Sequence, residues 1–464
     1  MLKRWKELLY HLSPVVKHAP LSEHKEFDVK RFQLFMAFCA LSLGLSYAQD
    51  VREVTFWTSH GEPDLIAIRH IVENFNAENP EINVTLVQIP PGANVETDVT
   101  RLMTAVRGGT GPDVYMLDRF IVAQRAADGL LQDLTPYMGG EDVLASHLEF
   151  ARNEAMFGGL PYALPFDTDA RALYYNIDML EEAGVDVSEL DPANGPISLA
   201  RLQEIATQVD QKNAQGNYEK MGFIPWFEQG WHYTYGFAYG GDFYDDASCQ
   251  VTPTDENVVR AFQYIYDYAA AAGPQEVQAF RQAFTRPDLP PQQNPFIAQQ
   301  LAMIITGDWM LGNMERYAPD VNYGVTYIPA AEEGGESVTW AGGWSMVMPQ
   351  GAKEPEAAFE FMKYIAGEPG QRVYTEETQH LPTVSSLLED ESIFSKDHLF
   401  FKDLLTTARS RPPLPVGALY WDELTTAWEK VYLNQEEPLA ALEQVAARVQ
   451  PQLQPFCAQL QAEN

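Results

Sequence analysis

Cysteine is scarce in this chain, with three residues in 464. No CxxC pair occurs, which excludes a cysteine-built zinc site or a thioredoxin-like redox centre. Positive charge is equally short: 31 Lys and Arg stand against 65 Asp and Glu, for a formal net charge of −34. Nucleic-acid phosphates and anionic lipid headgroups both need basic surfaces, so neither is expected as a partner. The nine histidines are scattered without metal-ligand spacing, and HExxH and EF-hand loops are absent, so no metal or other cofactor is expected. GxSxG and GxxxxGK[ST] are missing too, and GGTGPD leads into a strand without the phosphate-loop lysine. No apolar run is long enough to span a bilayer comfortably.

The longest such run, Phe32 to Leu45, follows Lys30-Arg31 and precedes Ser46-Tyr47-Ala48. A basic start, a short apolar centre and small residues at the end make a secretory signal. Cleavage is expected near Ala48-Gln49, with the mature protein periplasmic or extracellular. Residues 1–28 stand ahead of this already complete signal, which suggests a translation start at Val29. Cys39 follows the bulky Phe38, which argues against a lipoprotein. That leaves Cys249 and Cys457, which an oxidising compartment could pair; two separate thiols remain the alternative.

The length predicts two lobes. Glu53–Thr58 has a strand pattern, and Leu65, Ile68, Ile71, Val72 and Phe75 recur at helical spacing. Ile82, Val84 and Leu86 alternate, a helix over 97–106 ends at glycines, and Val114–Leu117 forms an apolar strand. This β-α-β-α-β order predicts a parallel sheet flanked by helices. Crossings between lobes are expected near Leu164–Phe166, Ile304–Gly307 and Met348–Gly351. The expected division is 49–164 with 307–350 in the first lobe, and 165–306 with 351–464 in the second.

The chemistry-bearing residues gather where strands end. Asp118 and Arg119 follow a buried strand, where open α/β sheets bind ligands. Asp167 and Asp169 follow the run into the first crossing. Trp57, Trp231, Trp309, Trp340, Trp344 and Trp421 stand mostly at strand ends or beside glycines such as Gly343, whereas Trp226 looks like core. A sugar ring stacks its C–H face on indole, and its hydroxyls need partners once removed from water. His60 lies in the loop after the first strand. Asp242, Asp245 and Asp246 form an acidic cluster that suits a solvated loop better than a cation. Asp167, Asp169 and Asp118 could be imagined as a glycosidase's acid and base. However, no carboxylate lies in an obvious apolar niche that would raise its pKa.

Five segments in order, FWTSHGE…FNAENPEINV, GTGPDVYMLDRF…GLLQDLTPYM, GLPYALPFDTDARALYYNIDMLEEAGVD, AMIITGDWML and WAGGWSMVMPQGAKEPEAAFEFMKYI, carry a resemblance. They resemble the extracellular solute-binding proteins of sugar ABC transporters, the broad family containing maltodextrin-binding protein. The resemblance implies an α/β periplasmic-binding-protein fold, with two lobes built on mainly parallel sheets and joined by three crossings. It implies sugar contacts from Asp118, Arg119 and Asp169, with Asp167 beside it, and stacking by Trp231, Trp309 and Trp421. Trp57, His60, Gly343 and Trp344 complete the candidate set. PISLARLQEI departs from the family's PxTWxEL-like segment, at a helix start away from the site.

The expected protein is therefore a monomeric receptor, not an enzyme, that delivers a neutral sugar or oligosaccharide to an ABC permease. A same-fold protein for a glycerol phosphate ester or polyamine is the nearer alternative; a secreted glycosidase is the alternative from another class.

Overall fold

In Arg52–Thr58, Val54, Phe56 and Thr58 are buried while the residues between them are not, the alternation of a strand with one face on a core. The computed structural model describes residues 51–92, 97–284 and 290–463. The expected signal peptide, its cleavage site near Ala48-Gln49 and the start at Val29 lie outside the described residues.

Strand β1 (Arg52–Thr58), helix α1 (Asp64–Glu78), β2 (Ile82–Gln88), α2 (Thr100–Arg107) and β3 (Val114–Asp118) follow in the expected order. Helix α1 buries the predicted stripe of Leu65, Ile68, Ile71, Val72 and Phe75. Then come β4 (Ala163–Pro165), β5 (Arg171–Asn176), α3 (Glu256–Ala272), β6 (Met303–Gly307), α4 (Trp309–Tyr317), β7 (Tyr323–Thr326) and β8 (Trp344–Val347). Asp255 starts α3 by accepting from the backbone N–H groups of Asn257 and Val258. The C-terminal part holds α5 (Pro355–Ala366), α6 (Glu368–Thr378), α7 (Gly417–Tyr432), α8 (Pro438–Leu453) and α9 (Cys457–Glu463).

Two sheets result. The first has the order β2-β1-β3-β8-β4; β1 runs parallel to β2 and β3, while β8 is antiparallel to β3 and β4. The second, β6-β5-β7, is antiparallel throughout. The two-lobed α/β architecture is the expected one, but the strand directions are more mixed. Apolar strands buried on both faces look alike in sequence whichever way they run.

The first crossing covers residues 166–170, between β4 of the first sheet and β5 of the second. The other two are displaced. Strands β6 and β7 both pair with β5, so the chain returns to the first sheet only between Thr326 and Trp344, not near Ile304–Gly307. Helices α5 and α6 stay with the first sheet: Phe361 packs on Phe56 and Phe75 at centroid distances of 5.3 and 5.2 Å. The third crossing therefore follows Thr378, ahead of Phe401, which meets Tyr174 of β5 at 5.8 Å. It is not near Met348–Gly351. A strand–glycine–helix sequence has the same appearance whether or not the chain changes lobe. Helices α7 and α8 do lie with the second lobe, where Trp428 meets Phe262 of α3 at 4.7 Å.

Cys249 and Cys457 are joined by a disulfide, with sulfurs 2.06 Å apart. It ties the start of α9 to the hairpin formed by Tyr244–Asp245 and Gln250–Val251. Asp242 pairs with Arg409, and Asp245 accepts from Ser248 Oγ at 2.6 Å and Ala247 N at 3.0 Å. Asp245 thus serves its own loop, whereas Asp242 ties that loop to Arg409.

Candidate functional site

Strand β3 delivers Asp118 to the mouth of the first sheet. Its Oδ1 accepts from Phe120 N at 3.3 Å, capping the following turn, and from Arg411 Nη2 at 2.9 Å. Burial raises the Asp118 pKa, and Arg411 opposes that shift. From the first crossing, Asp169 accepts from Gly342 N at 2.6 Å and pairs with Arg171. Arg171 in turn donates to Trp340 O at 3.0 Å and to Gln229 Oε1 at 3.2 Å.

The guanidiniums lie on aromatic faces. Arg171 sits 3.5 Å from the centroid of Trp340 and 5.6 Å from that of Trp309. Arg411 lies 3.8 Å over Phe120 and 5.3 Å from Trp421. Cation–π attraction and a carboxylate partner together let both charges stay buried. Trp231 packs against Trp421 at 5.3 Å, and His60 meets Trp344 edge-on at 4.4 Å.

Apart from Phe120 and Gly342, these groups line a cavity of about 480 Å³ between the lobes. Seven of the expected site residues reach its wall directly: His60, Asp118, Asp169, Trp231, Trp309, Trp344 and Trp421; Gly343 joins them. Gly343 has φ +128°, and a Cβ there would run into Asp167 O and Arg119 Nη1, so only glycine fits the position.

Three expected residues are not on that wall. Trp57, on β1, packs partly buried against the core. Asp167 is 1% exposed; its Oδ1 accepts from Trp344 N at 2.5 Å. Arg119 is fully buried. Its Nε donates to Glu154 Oε2 at 2.8 Å, and its Nη groups donate to the carbonyls of Asp167 and Gly342. Adjacent residues at a strand end point to opposite sides, so Asp118 and Arg119 do not share a face. Arg119 braces the first crossing from beneath.

Arg411, Gln229, Asp64 and His380 line the cavity without having been singled out in the sequence. Trp340 and Arg171 stood beside the expected residues and also belong to it. SRPP and EQGW carried no signal for Arg411 or Gln229; WAGGW did for Trp340. His380 stacks between Tyr374 at 5.0 Å and Trp309 at 5.7 Å. Neither of its ring nitrogens has a hydrogen-bond partner among the described residues, nor does Trp421 Nε1.

Contrary to the sequence reading, a carboxyl with a raised pKa exists on the cavity wall: burial lifts Asp64 to about 7, opposed by Arg316. The His60 and His380 imidazoles are pushed the other way by burial, to about 4 and about 3, so both are neutral near pH 7. Near pH 7 Asp64 is about half protonated, and that protonated form offers a hydroxyl donor to the cavity. Because its folded pKa lies above the ordinary 3.8, its contribution to stability is present in acid and lost as pH rises through about 7. Between about pH 4 and 7 the wild type should lose stability relative to Asp64→Asn, measured by denaturant unfolding. Parallel curves for the two proteins would show that Asp64 titrates normally.

A sequence profile described as bacterial extracellular solute-binding protein matches residues 61–372. A putative binding protein of Brucella abortus is 26% identical over 81% of this chain and 86% of its own length. The galactooligosaccharide-binding protein of Bacillus subtilis is 24% identical over 91% of this chain and 97% of its own. Among solved structures, CpMnBP1 with mannobiose bound superposes with a TM-score of 0.75 at 21% identity, covering 85% of this chain and 98% of that one. A maltose/maltodextrin-binding domain from Bdellovibrio bacteriovorus bound to maltotriose gives 0.69 at 20% identity, covering 87% and 100%. A two-lobed fold matched along nearly its whole described length, together with a profile spanning both sheets, places this chain in the family of bacterial extracellular solute-binding proteins.

Proposed function

We propose that the chain is the extracytoplasmic receptor of an ABC importer, capturing a neutral sugar or oligosaccharide between its lobes for delivery to a permease. The observation that carries this reading is the make-up of the cavity: indole walls around two carboxylate–guanidinium pairs, Asp118–Arg411 and Asp169–Arg171. Each of these four charges already has its partner, and the remaining carboxyl on the wall, Asp64, is about half protonated near pH 7, so little net charge is left. A phosphate ester would need an uncommitted cation, and a polyamine an uncommitted anion. A hydroxyl needs neither, since it both donates and accepts. Trp421 Nε1 and the His380 ring supply further buried hydrogen-bonding atoms.

The relative named for galactooligosaccharide and the neighbour holding mannobiose support the same ligand class. Ligand contacts from both lobes favour the closed arrangement, which the permease would recognise. In this reading the protein acts as a monomer, is secreted through a signal cleaved near Ala48-Gln49, and performs no chemistry on its ligand.

Calorimetry with mono-, di- and trisaccharides, run beside an assay for released product, tests the proposal. Saturable binding without turnover is expected, and hydrolysis of the bound sugar would favour a glycosidase instead. Trp309→Ala should weaken the affinity by about 1–3 kcal/mol. Unchanged affinity in that variant would move the ligand away from this cavity.

A further inference from the structure

Three carboxyls stand on the wall of the cavity between the lobes, and one of them differs from the others. Asp118 pairs with Arg411 and Asp169 with Arg171. Asp64, the first residue of α1, has no such partner. The described residues offer its carboxyl no hydrogen bond, and His380 Nε2 stands 3.8 Å from its Oδ1. Its side chain is 24% exposed, so the carboxyl is open to whatever fills the cavity.

The ionisable groups around Asp64 come from several elements. Arg316 of α4 acts on it as a cation from the second lobe. Asp167 of the first crossing and Tyr374 of α6 both feel its charge. His380 stands between the two acids, with Nδ1 3.5 Å from Asp167 Oδ2. His60 and Arg171 bear on His380 in turn. Both histidines are neutral near pH 7, so neither holds Asp64 in its ionised form. Burial lifts this acid to about 7, and Arg316 only opposes the shift.

A saccharide brings hydroxyls, which donate and accept, and ring and glycosidic oxygens, which only accept. The paired carboxylates can only accept as well, whereas a protonated Asp64 adds a donor. Filling the cavity also displaces water from the exposed part of this carboxyl, and a neutral sugar supplies no cation in return. The charged form loses more by that exchange than the neutral acid does. Building on the sugar-receptor reading above, we infer that Asp64 is a ligand-contacting residue that meets the saccharide as its neutral acid, so that capture takes up a proton and is strongest in acid. The coupling is reciprocal: if the sugar tightens the hold on the proton, the proton tightens the hold on the sugar by the same factor. Affinity is then level in acid and declines as pH rises through about 7 and beyond.

Calorimetry of the full chain with glucose, mannobiose and maltotriose, from pH 6 to 9, tests this. The affinity of the wild type for the sugar it binds should fall at least about fivefold across that range. Repeating the titration at pH 7 in buffers of different ionisation heat should show uptake of about 0.2–0.5 proton per sugar bound. Asp64→Asn should vary less than about twofold over the same range and take up no proton. Asp64→Ser serves the same end if the amide disturbs the start of α1, and the proton count on the wild type needs no variant. Affinity that is level or rises with pH, release of a proton, or a pH dependence that outlasts both substitutions would each overturn the inference while leaving the receptor reading in place. Failure of all three sugars to bind at any pH would remove both.

Discussion

Replacement of Arg119 by alanine is expected to lower the unfolding free energy by about 3–5 kcal/mol, the usual loss when one partner of a buried ion pair is removed. Arg119 and Glu154 have side-chain exposures of 0% and 1%. Removing the guanidinium strips Glu154 of its counter-charge, and the carbonyls of Asp167 and Gly342 lose their donors. Both carbonyls belong to segments that pass between the lobes, beside Asp169 and Gly343 of the cavity wall. Arg119→Lys should recover only part of the loss, since a single ammonium cannot serve three acceptors held in a fork. Urea unfolding of the two variants measures this directly. A loss below about 1 kcal/mol for the alanine variant, typical of an exposed pair, would show that Arg119 is not the brace described here.

The role of Arg119 also marks a boundary of what sequence makes legible. Asp118 at the end of an apolar run was enough to find the mouth of the first sheet, because strand ends in open α/β sheets are where ligands bind. Position at strand ends or beside glycines pointed to Trp231, Trp309 and Trp344, and the family resemblance to Trp421; with Trp340 these are the indoles around the cavity. The stripe of α1 and the alternation of β1 were equally visible, since each depends on a period within one element. Contacts between distant segments leave no such period. Arg411 reaches Asp118 from the far end of the chain, and nothing around SRPP announces it. His380 acquires its niche only when α6 stacks Tyr374 against it. The raised pKa of Asp64 has the same origin: it is a property of burial, and burial is decided by the assembled fold. The displaced crossings follow from this too, because pairing of β6 and β7 with β5 is a non-local choice among similar apolar strands.

Loss of the Cys249–Cys457 disulfide should be the other large effect, and it should separate stability from binding. The bridge joins residues 208 apart in sequence. A cross-link closing so long a loop restricts the denatured chain strongly, and removing it typically costs about 2–5 kcal/mol. In the folded protein the same region is already held by Gln450, which donates to Cys249 O at 3.0 Å and accepts from Val251 N at 2.9 Å. Those bonds do not need the sulfurs, so Cys249→Ser/Cys457→Ser should fold to the same native state. Neither cysteine lines the cavity between the lobes, and ligand affinity measured by calorimetry should stay within about twofold of the wild type. Urea unfolding of the double variant should nevertheless show the loss, and reduction of the wild type should reproduce it. Equal stability of the oxidised wild type and the double variant would mean that the denatured chain gains little freedom when the bridge is gone. A fall in ligand affinity as large as the fall in stability would mean instead that the disulfide shapes the cavity, which its position in the second lobe, on the hairpin and α9, argues against.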